Sequence, residues 1–266
     1  MVCELTSEEI ERYARHLLIP EVGEEGQRKL KQASVLVIGV GGLGSPIALY
    51  LAAAGVGHIG IVDPDSVALS NLQRQVIYAN SNLNQKKVES AKKRMLDINP
   101  NIQVDVFCEG FSLNNAERIA EDYEILVDGT DNLASRYLIN DLAILTQKPY
   151  VYGSVFQFEG QASTFFARQG PCYRCLFPIP PKAGTIPASN EVGVFGILPG
   201  TIGTIEATET IKLILGIGEP LFGKLLLYDA LDMSFQLIHL KKDPDCKICG
   251  KNPQIDHLID YDEFCA

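Results

Sequence analysis

Ala33-Ser34-Val35-Leu36-Val37-Ile38-Gly39-Val40-Gly41-Gly42-Leu43-Gly44 is the stretch that decides the fold. Its apolar run to Val40 has no alternation, as a strand buried on both faces requires. Glycines end the run, and a helix is expected from Leu43 to about Ala54, stopped by Gly55. A second strand, Ile59 to Val62, ends at Asp63, which completes a βαβ unit. Gly39-Val40-Gly41-Gly42-Leu43-Gly44 therefore satisfies G-x-G-x-x-G between a strand and a helix. Glycines there let the backbone approach a phosphate, and the helix N-terminus supplies positive potential. Asp63 lies roughly twenty residues on, where an acid hydrogen-bonds a ribose hydroxyl. A tight turn without ligand is the plainer alternative. A nicotinamide dehydrogenase would share this opening, so later residues must decide between nucleotides.

Outward from that unit the alternation continues. A capping box, Thr6 to Glu9, opens a first helix with Ile10, Ala14, Leu17 and Leu18 as its apolar face. Val88, Ala91 and Met95 give a helix over about Asn84 to Leu96. Ile102, Val104, Val106 and Cys108 alternate as a strand, and Tyr123 to Asp128 forms another. A helix from Asn132 to about Thr146 leads to a strand near Tyr150 to Val155. The order βαβαβαβ implies an α/β fold, a Rossmann-like, mostly parallel sheet with helices on both faces. Beyond Gly160 the pattern becomes antiparallel: a strand over Gln161 to Ala167, a Pro- and Gly-rich loop over Phe177 to Glu191, a helix over about Ile202 to Leu215, and a hairpin from Lys224 to Tyr228 and Phe235 to Leu240. One domain is expected over residues 1–250, with a nucleotide-binding half to about 155 and a tail over 251–266.

The composition narrows the partners. At 266 residues, with 46% hydrophobic and 21% charged, there is ample material for one core. The formal net charge of −10 argues against a nucleic-acid surface, which needs a basic excess to release counterions. No leader-like or membrane-spanning stretch is present; the best candidate, Leu43 to Gly57, is short and interrupted by Gly and Pro. A cytoplasmic enzyme is expected, so the seven cysteines read as metal ligands before disulfides.

Three further motifs follow in order: Ser70-Asn71-Leu72-Gln73-Arg74-Gln75, Lys87-Val88-Glu89-Ser90-Ala91, and Asp128-Gly129-Thr130-Asp131-Asn132. With the glycine loop, they resemble the MoeB/ThiF-type branch of the ubiquitin-activating superfamily, from about Glu11 to Gly250. A dehydrogenase has no need of them. The resemblance implies that a carrier protein's C-terminal Gly-Gly carboxylate attacks the α-phosphorus of ATP, giving an acyl-adenylate and pyrophosphate. It implies that Gly39, Gly41, Gly42, Leu43 and Gly44, with Ser70 and Asn132, line the nucleotide and that Asp63 holds the ribose. Asn71, Arg74 and Lys87 would embrace the phosphates, and Asp131 would hold Mg²⁺. Arg15 would be donated across a homodimer interface to the partner's ATP. Taken singly, Arg74 and Lys87 also fit solvated surface charges, Asp131 fits a helix cap, and Arg136 fits a structural salt bridge.

Cys172-Tyr173-Arg174-Cys175 and Cys246-Lys247-Ile248-Cys249 form two C-x-x-C knuckles suited to a closed tetrahedral Zn²⁺ site, with Arg174 and Lys247 offsetting its charge. A redox pair is the rival reading, though one C-x-x-C would suffice for it. Many members of the family resembled carry a cysteine before Gly193; here Ser189 stands about there. Catalysis is therefore expected to stop at the acyl-adenylate, with sulfur from a separate persulfide donor such as a cysteine desulfurase or rhodanese. Cys108 is expected to be buried in its strand, and Cys3 and Cys265 to sit in mobile termini. The tail from Gln254 resembles the linker that leads to a rhodanese domain in longer relatives, and equally fits a frayed acidic end.

The leading expectation is activation of a sulfur carrier for molybdopterin, thiamin or thiolated-tRNA synthesis. Adenylation of a small-molecule or tRNA-bound carboxylate, and a non-catalytic scaffold that binds ubiquitin-like proteins, are the alternatives.

Overall fold

The computed structural model describes residues 4–181 and 193–261. Five strands pair in parallel: β1 (Ser34–Ile38), β2 (His58–Val62), β3 (Gln103–Phe107), β4 (Ile125–Asp128) and β5 (Tyr150–Phe156). Antiparallel β6 (Glu159–Phe165), β7 (Lys224–Asp229) and β8 (Ser234–His239) extend them into one eight-stranded sheet, ordered β3-β2-β1-β4-β5-β6-β7-β8. Among the described residues the helices are α1 (Ser7–Arg12), α2 (Ala14–Leu17), α3 (Gly23–Gln32), α4 (Gly44–Ala54), α5 (Lys87–Ile98), α6 (Ala116–Ala120), α7 (Leu133–Leu145), α8 (Tyr173–Leu176) and α9 (Leu198–Leu215).

The sheet is covered on both sides, which is why its central strands carry no polar face. Val35, Val37, Ile59, Ile61 and Val127 pack toward Ile47 and Leu51 of α4, Val88 and Met95 of α5, and Ile202 of α9. Leu36, Ile38, Leu126 and Tyr150 face the other way, toward Ile119 of α6 and Ile139 and Leu142 of α7. Each fully buried aliphatic side chain contributes about 1.5–3 kcal/mol. Among the described residues no helix is long and apolar enough to cross a membrane.

Several expectations shift. The first helix is split at Tyr13, and Ile10 and Leu18 of its apolar face are 45% and 73% exposed rather than packed. The Thr6–Glu9 capping box itself forms: Thr6 N donates to Glu9 Oε2 at 2.8 Å and Glu9 N to Thr6 Oγ1 at 3.2 Å. Helices α3 and α6 were not anticipated; α3 is mostly charged and buries little beyond Gln27 and Leu30. Helix α9 starts at Leu198, ahead of the expected Ile202, because Pro199 is preorganised for a first helical turn. Cys108 lies beyond the end of β3 and is exposed, correcting its assignment to the strand interior.

The tail is docked as far as Tyr261 rather than frayed. Leu258 and Tyr261 join the core beside Tyr137 and Leu138. The Tyr261 hydroxyl meets Asp141 and Arg174. Arg174 is buried against Asp141 at 2.8 Å and lies 4.9 Å from the Tyr137 ring centroid, so its charge is committed there and not to the cysteines. Lys247 remains exposed.

The ends of β1, β2 and β4 are level: Ile38 stands opposite both Val62 and Asp128. At that level a Cβ on Gly44 or Gly129 would strike the Gly39 carbonyl oxygen, and Gly39 itself has φ +89°. We expect Gly44→Ala to lower stability by about 1–3 kcal/mol in denaturant melts. Gly110→Ala, where a Cβ meets nothing within 4 Å, is the matched control and should stay within about 0.5 kcal/mol of the parent.

Candidate functional site

Strand order reverses between β1 and β4, so the two connections leave in opposite directions and open a crevice at the strands' carboxyl ends. The glycine loop enters it from β1. Gly39 N donates to Val62 O at 2.8 Å, and Val40 N to Asp63 Oδ2 at 3.0 Å. The Tyr78 hydroxyl donates to Val40 O at 2.7 Å, and the Ser45 hydroxyl to Gly41 O at 2.6 Å. Gly42 abuts Pro199 at the start of α9, and the Arg74 Cδ would lie 3.6 Å from a Cβ on Gly42. Leu43 is buried and its carbonyl backs onto Gly203. The expected loop residues Gly39, Gly41, Gly42, Leu43 and Gly44 are thus framed by α9 on one side and residues 74–78 on the other.

The charged candidates converge on this loop. Asp63 is buried, and its Oδ1 also accepts from Asp65 N at 3.0 Å. Lys87, at the start of α5, places Nζ 3.4 Å from Asp63 Oδ1 and 2.7 Å from Asp65 Oδ2. Lys87 is only 5% exposed, so the solvated-surface reading of it fails. Arg74 donates to Ser70 O at 3.2 Å, and the Asn71 side-chain oxygen accepts from Ala68 N at 2.9 Å, fixing the 70–74 turn. Asp131 is exposed in the turn that follows β4. The cap of α7 is Asn132, whose side chain accepts from Ser135 N at 2.8 Å, so the capping role considered for Asp131 belongs to its neighbour. Arg15 lies on exposed α2 and is not brought to this cluster within one chain.

Beneath the crevice lies a buried polar chamber. Arg136 pairs with Asp128 at 3.8 Å and donates to Thr130 O at 3.3 Å, a structural engagement. Burial works against this cation, but Tyr152 and Asp128 more than offset it and keep its pKa above the ordinary value. Burial likewise pushes the Asp128 carboxyl up, against the opposing pull of Arg136 and the hydrogen bonds from Thr130 and Tyr150. Glu206 of α9 faces Gly153, where a Cβ would meet its carboxylate, and neither of its oxygens has a partner. Burial, then the Asp128 charge, raises its pKa well above 4.5.

Four residues here escaped the sequence reading: Gln75, Tyr78, Pro199 and Glu206. Gln75 closed a quoted motif, yet nothing marked its side chain as buried. Pro199, just ahead of the expected helix, was a readable start signal. A cleft of about 630 Å³ opens at the opposite end of the strands, lined by Lys29, Gln32, Glu124, Pro149 and Phe222, and contains none of the candidates. The backbone chemistry, not cleft size, locates the site.

The second centre joins the segments after β6 and β8. Cys172 Sγ is 3.9 Å from Cys175 Sγ and 3.7 Å from Cys246 Sγ, and Cys175 Sγ is 3.4 Å from Cys249 Sγ. All four lie within 4.8 Å of one another and can hold a metal ion. Asp243 N donates to Cys175 Sγ at 3.4 Å. Ser189 lies outside the described residues, as do Cys3 and Cys265 and most of the 177–191 loop.

A doubly wound sheet with a glycine loop at its switch point, an antiparallel extension and a four-cysteine cluster fits the adenylating class that the sequence motifs resemble. The chain belongs to the ThiF family, whose model matches residues 13–248. A sulfur carrier protein adenylyltransferase of Thermus thermophilus is 46% identical over 266 residues, covering 98% of each chain. MoeZ of Mycobacterium tuberculosis, a probable adenylyltransferase/sulfurtransferase, is 50% identical over 98% of this chain, which spans 66% of that protein. Escherichia coli MccB, crystallised with MccA-N7isoASN, superposes with a TM-score of 0.80 at 21% identity, over 93% of this chain and 76% of that one, and attests the fold alone.

Glu206 gives a pH signature. Its folded-state pKa is raised, so above the unfolded value near 4.5 the native state retains a proton that the unfolded state releases. Stability is therefore lost as pH rises, about 1.4 kcal/mol per unit of elevation. Glu206→Gln removes that loss: its thermal midpoint should match the parent near pH 4 and exceed it increasingly toward pH 8.

Proposed function

We propose that this chain adenylates the C-terminal Gly-Gly carboxylate of a ubiquitin-fold sulfur-carrier protein with ATP, releasing pyrophosphate ahead of thiocarboxylate formation. The observation that carries the reading is the convergence of Asp63, Lys87 and Arg74 on a glycine-rich loop at the switch point. The whole-length likeness to a sulfur carrier protein adenylyltransferase supports the choice of substrate.

The chemistry brings a carboxylate anion to a polyphosphate anion, so cations must offset charge along the approach. Asp63 accepts from Val40 N and Asp65 N and lies 3.4 Å from the Lys87 ammonium, and a carboxylate's roughly four lone-pair directions leave room for a ribose hydroxyl. Lys87, Arg74 and the Asn71 amide bind the phosphates, with Ser70 and Asn132 completing the wall. Lys87 exchanges Asp65 for phosphate as ATP enters. Each such preorganised donor lowers the barrier by roughly 3–4 kcal/mol. Asp131, an oxygen ligand at the mouth, suits Mg²⁺, which when bound neutralises phosphate charge. Arg15, outside the single-chain site, fits donation to a partner's nucleotide in a homodimer.

The four-cysteine cluster suits Zn²⁺. Tetrahedral Zn–S bonds of about 2.3 Å place sulfurs about 3.8 Å apart, near the observed spacings. Four protein ligands leave no open position, so this metal fastens the strand ends and takes no part in the transfer. A persulfide donor such as a cysteine desulfurase or rhodanese then attacks the acyl-adenylate through its terminal sulfur, releasing AMP and forming an acyl disulfide that a second thiol cleaves reductively to the thiocarboxylate, in the cytoplasm.

Carrier-dependent ATP–pyrophosphate exchange with Gly-Gly-ended carriers is the test, and Asp131→Ala should reduce it on the order of 100-fold or more. ATP binding with no exchange for any carrier would instead favour a small-molecule or tRNA-bound carboxylate. Metal analysis should find about one zinc per chain, lost in Cys246→Ser together with a lowered melting midpoint. Retention of that midpoint without metal would sink the structural role.

A further inference from the structure

The Asp128-Gly129-Thr130-Asp131-Asn132 turn is held from below by a residue to which the proposed reaction assigns nothing. Asp128 is fully buried at the end of β4. Its Oδ1 accepts two hydrogen bonds from one residue: Thr130 N at 2.9 Å and Thr130 Oγ1 at 2.6 Å. Its Oδ2 accepts from the Tyr150 hydroxyl at 2.6 Å. The Thr130 carbonyl is held separately, by Arg136 Nη2 at 3.3 Å. Thr130 is therefore fixed through its amide, its hydroxyl and its carbonyl at once. On the far side Asn132 is fixed as the cap of α7. Before it, Gly129 N donates to Ile38 O at 2.7 Å, and Gly129 lies against Gly39 and Gly44 where no Cβ fits. Asp131 and Asn132 are exposed, and the backbone on either side of Asp131 is held by these bonds.

We propose that Asp128 is a positioning residue for adenylation: through Thr130 it sets where the Asp131 carboxylate stands relative to the glycine loop. This rests on the reading of the crevice as an ATP site with Asp131 facing the phosphates. A two-residue reach-back from a buried carboxylate is stiffer than a turn held by backbone bonds alone. Hydrogen bonds to a charged or strongly polar buried acceptor are short, directional and unscreened by water. The chamber also separates two acids by task. Asp128 receives three donors, while Glu206 receives none, so the donors are spent on the residue that touches the turn.

The test uses the full chain with Thr130→Val, Thr130→Ser, Asp128→Asn and Tyr150→Phe. Thr130→Val keeps the shape and removes the hydroxyl donor; Thr130→Ser restores it. Tyr150→Phe removes a bond of equal length from the same carboxylate without touching the turn. Two readouts are taken: carrier-dependent ATP–pyrophosphate exchange, and ATP affinity by calorimetry with and without Mg²⁺. Thr130→Val and Asp128→Asn should lower kcat about 10–100-fold, the usual loss when a partner that orients a ligand is removed. KM for the carrier should be unchanged, and the gain in ATP affinity on adding Mg²⁺ should shrink. Thr130→Ser should recover most of both, and Tyr150→Phe should lower the melting midpoint but leave the Mg²⁺ gain intact. The proposal is overturned if Thr130→Val keeps the parent's kcat and Mg²⁺ gain, or if Tyr150→Phe reproduces its defect. Should the parent itself show no exchange, the adenylation reading fails, and the Mg²⁺ gain in ATP affinity still decides whether Thr130 orients Asp131.

Discussion

Everything at the working end of this molecule depends on three backbones meeting without side chains. Gly39 leaves β1, Gly129 leaves β4 and Gly44 opens α4, and a methyl group on either of the last two would collide with the Gly39 carbonyl. Interiors pack at crystal-like density, so such a crossing cannot be opened slightly; it is either closed or rebuilt. Because it is closed, the ends of β1, β2 and β4 stay level. Asp63, Lys87 and the Asp131 turn then gather around one loop although they are far apart in sequence.

The polar interior answers to the same constraint. Buried ions are costly unless paired and hydrogen-bonded. Here they are arranged in two tiers: Asp63 and Lys87, with the exposed Asp65, near the mouth, and Asp128, Arg136 and the tyrosines beneath. The upper tier reaches the surface through the Asp65 side chain. The lower one is sealed by α7 and α9 and acts only through the backbone it grips. Glu206 belongs to the sealed tier yet has no partner, and its carboxyl is correspondingly driven toward the neutral form.

The order of the strands and of the longer helices, the glycine loop and both cysteine pairs were legible in the sequence because each is written locally, as periodicity, turn chemistry or spacing. So was the convergence of Asp63 and Lys87, though only through the resemblance, since no local rule brings residues 63 and 87 together. What escaped was tertiary. Cys108 has the strand's alternation but falls one residue past its end. Asn140 and Asp141 look like the wet face of α7, yet both are buried, receiving Tyr173 N at 2.9 Å and Arg174 at 2.8 Å. The acidic tail reads as solvated, but Leu258 and Tyr261 supply the apolar and hydroxyl contacts that dock it. Helix α3 has one large apolar residue, Leu30, among charged neighbours, so it offered no run of apolar positions to read.

Helix α7 spans about 20 Å. Its first turn is capped at the Asp131 turn, and at its far end Ile144 and Leu145 pack against the cysteine cluster. Between them Asn140 and Asp141 bind the residues that separate Cys172 from Cys175. The helix is thus shared property of two centres that never touch. No break interrupts α7 between the Asp131 turn and the cysteine cluster, so one rigid element carries the placement of both.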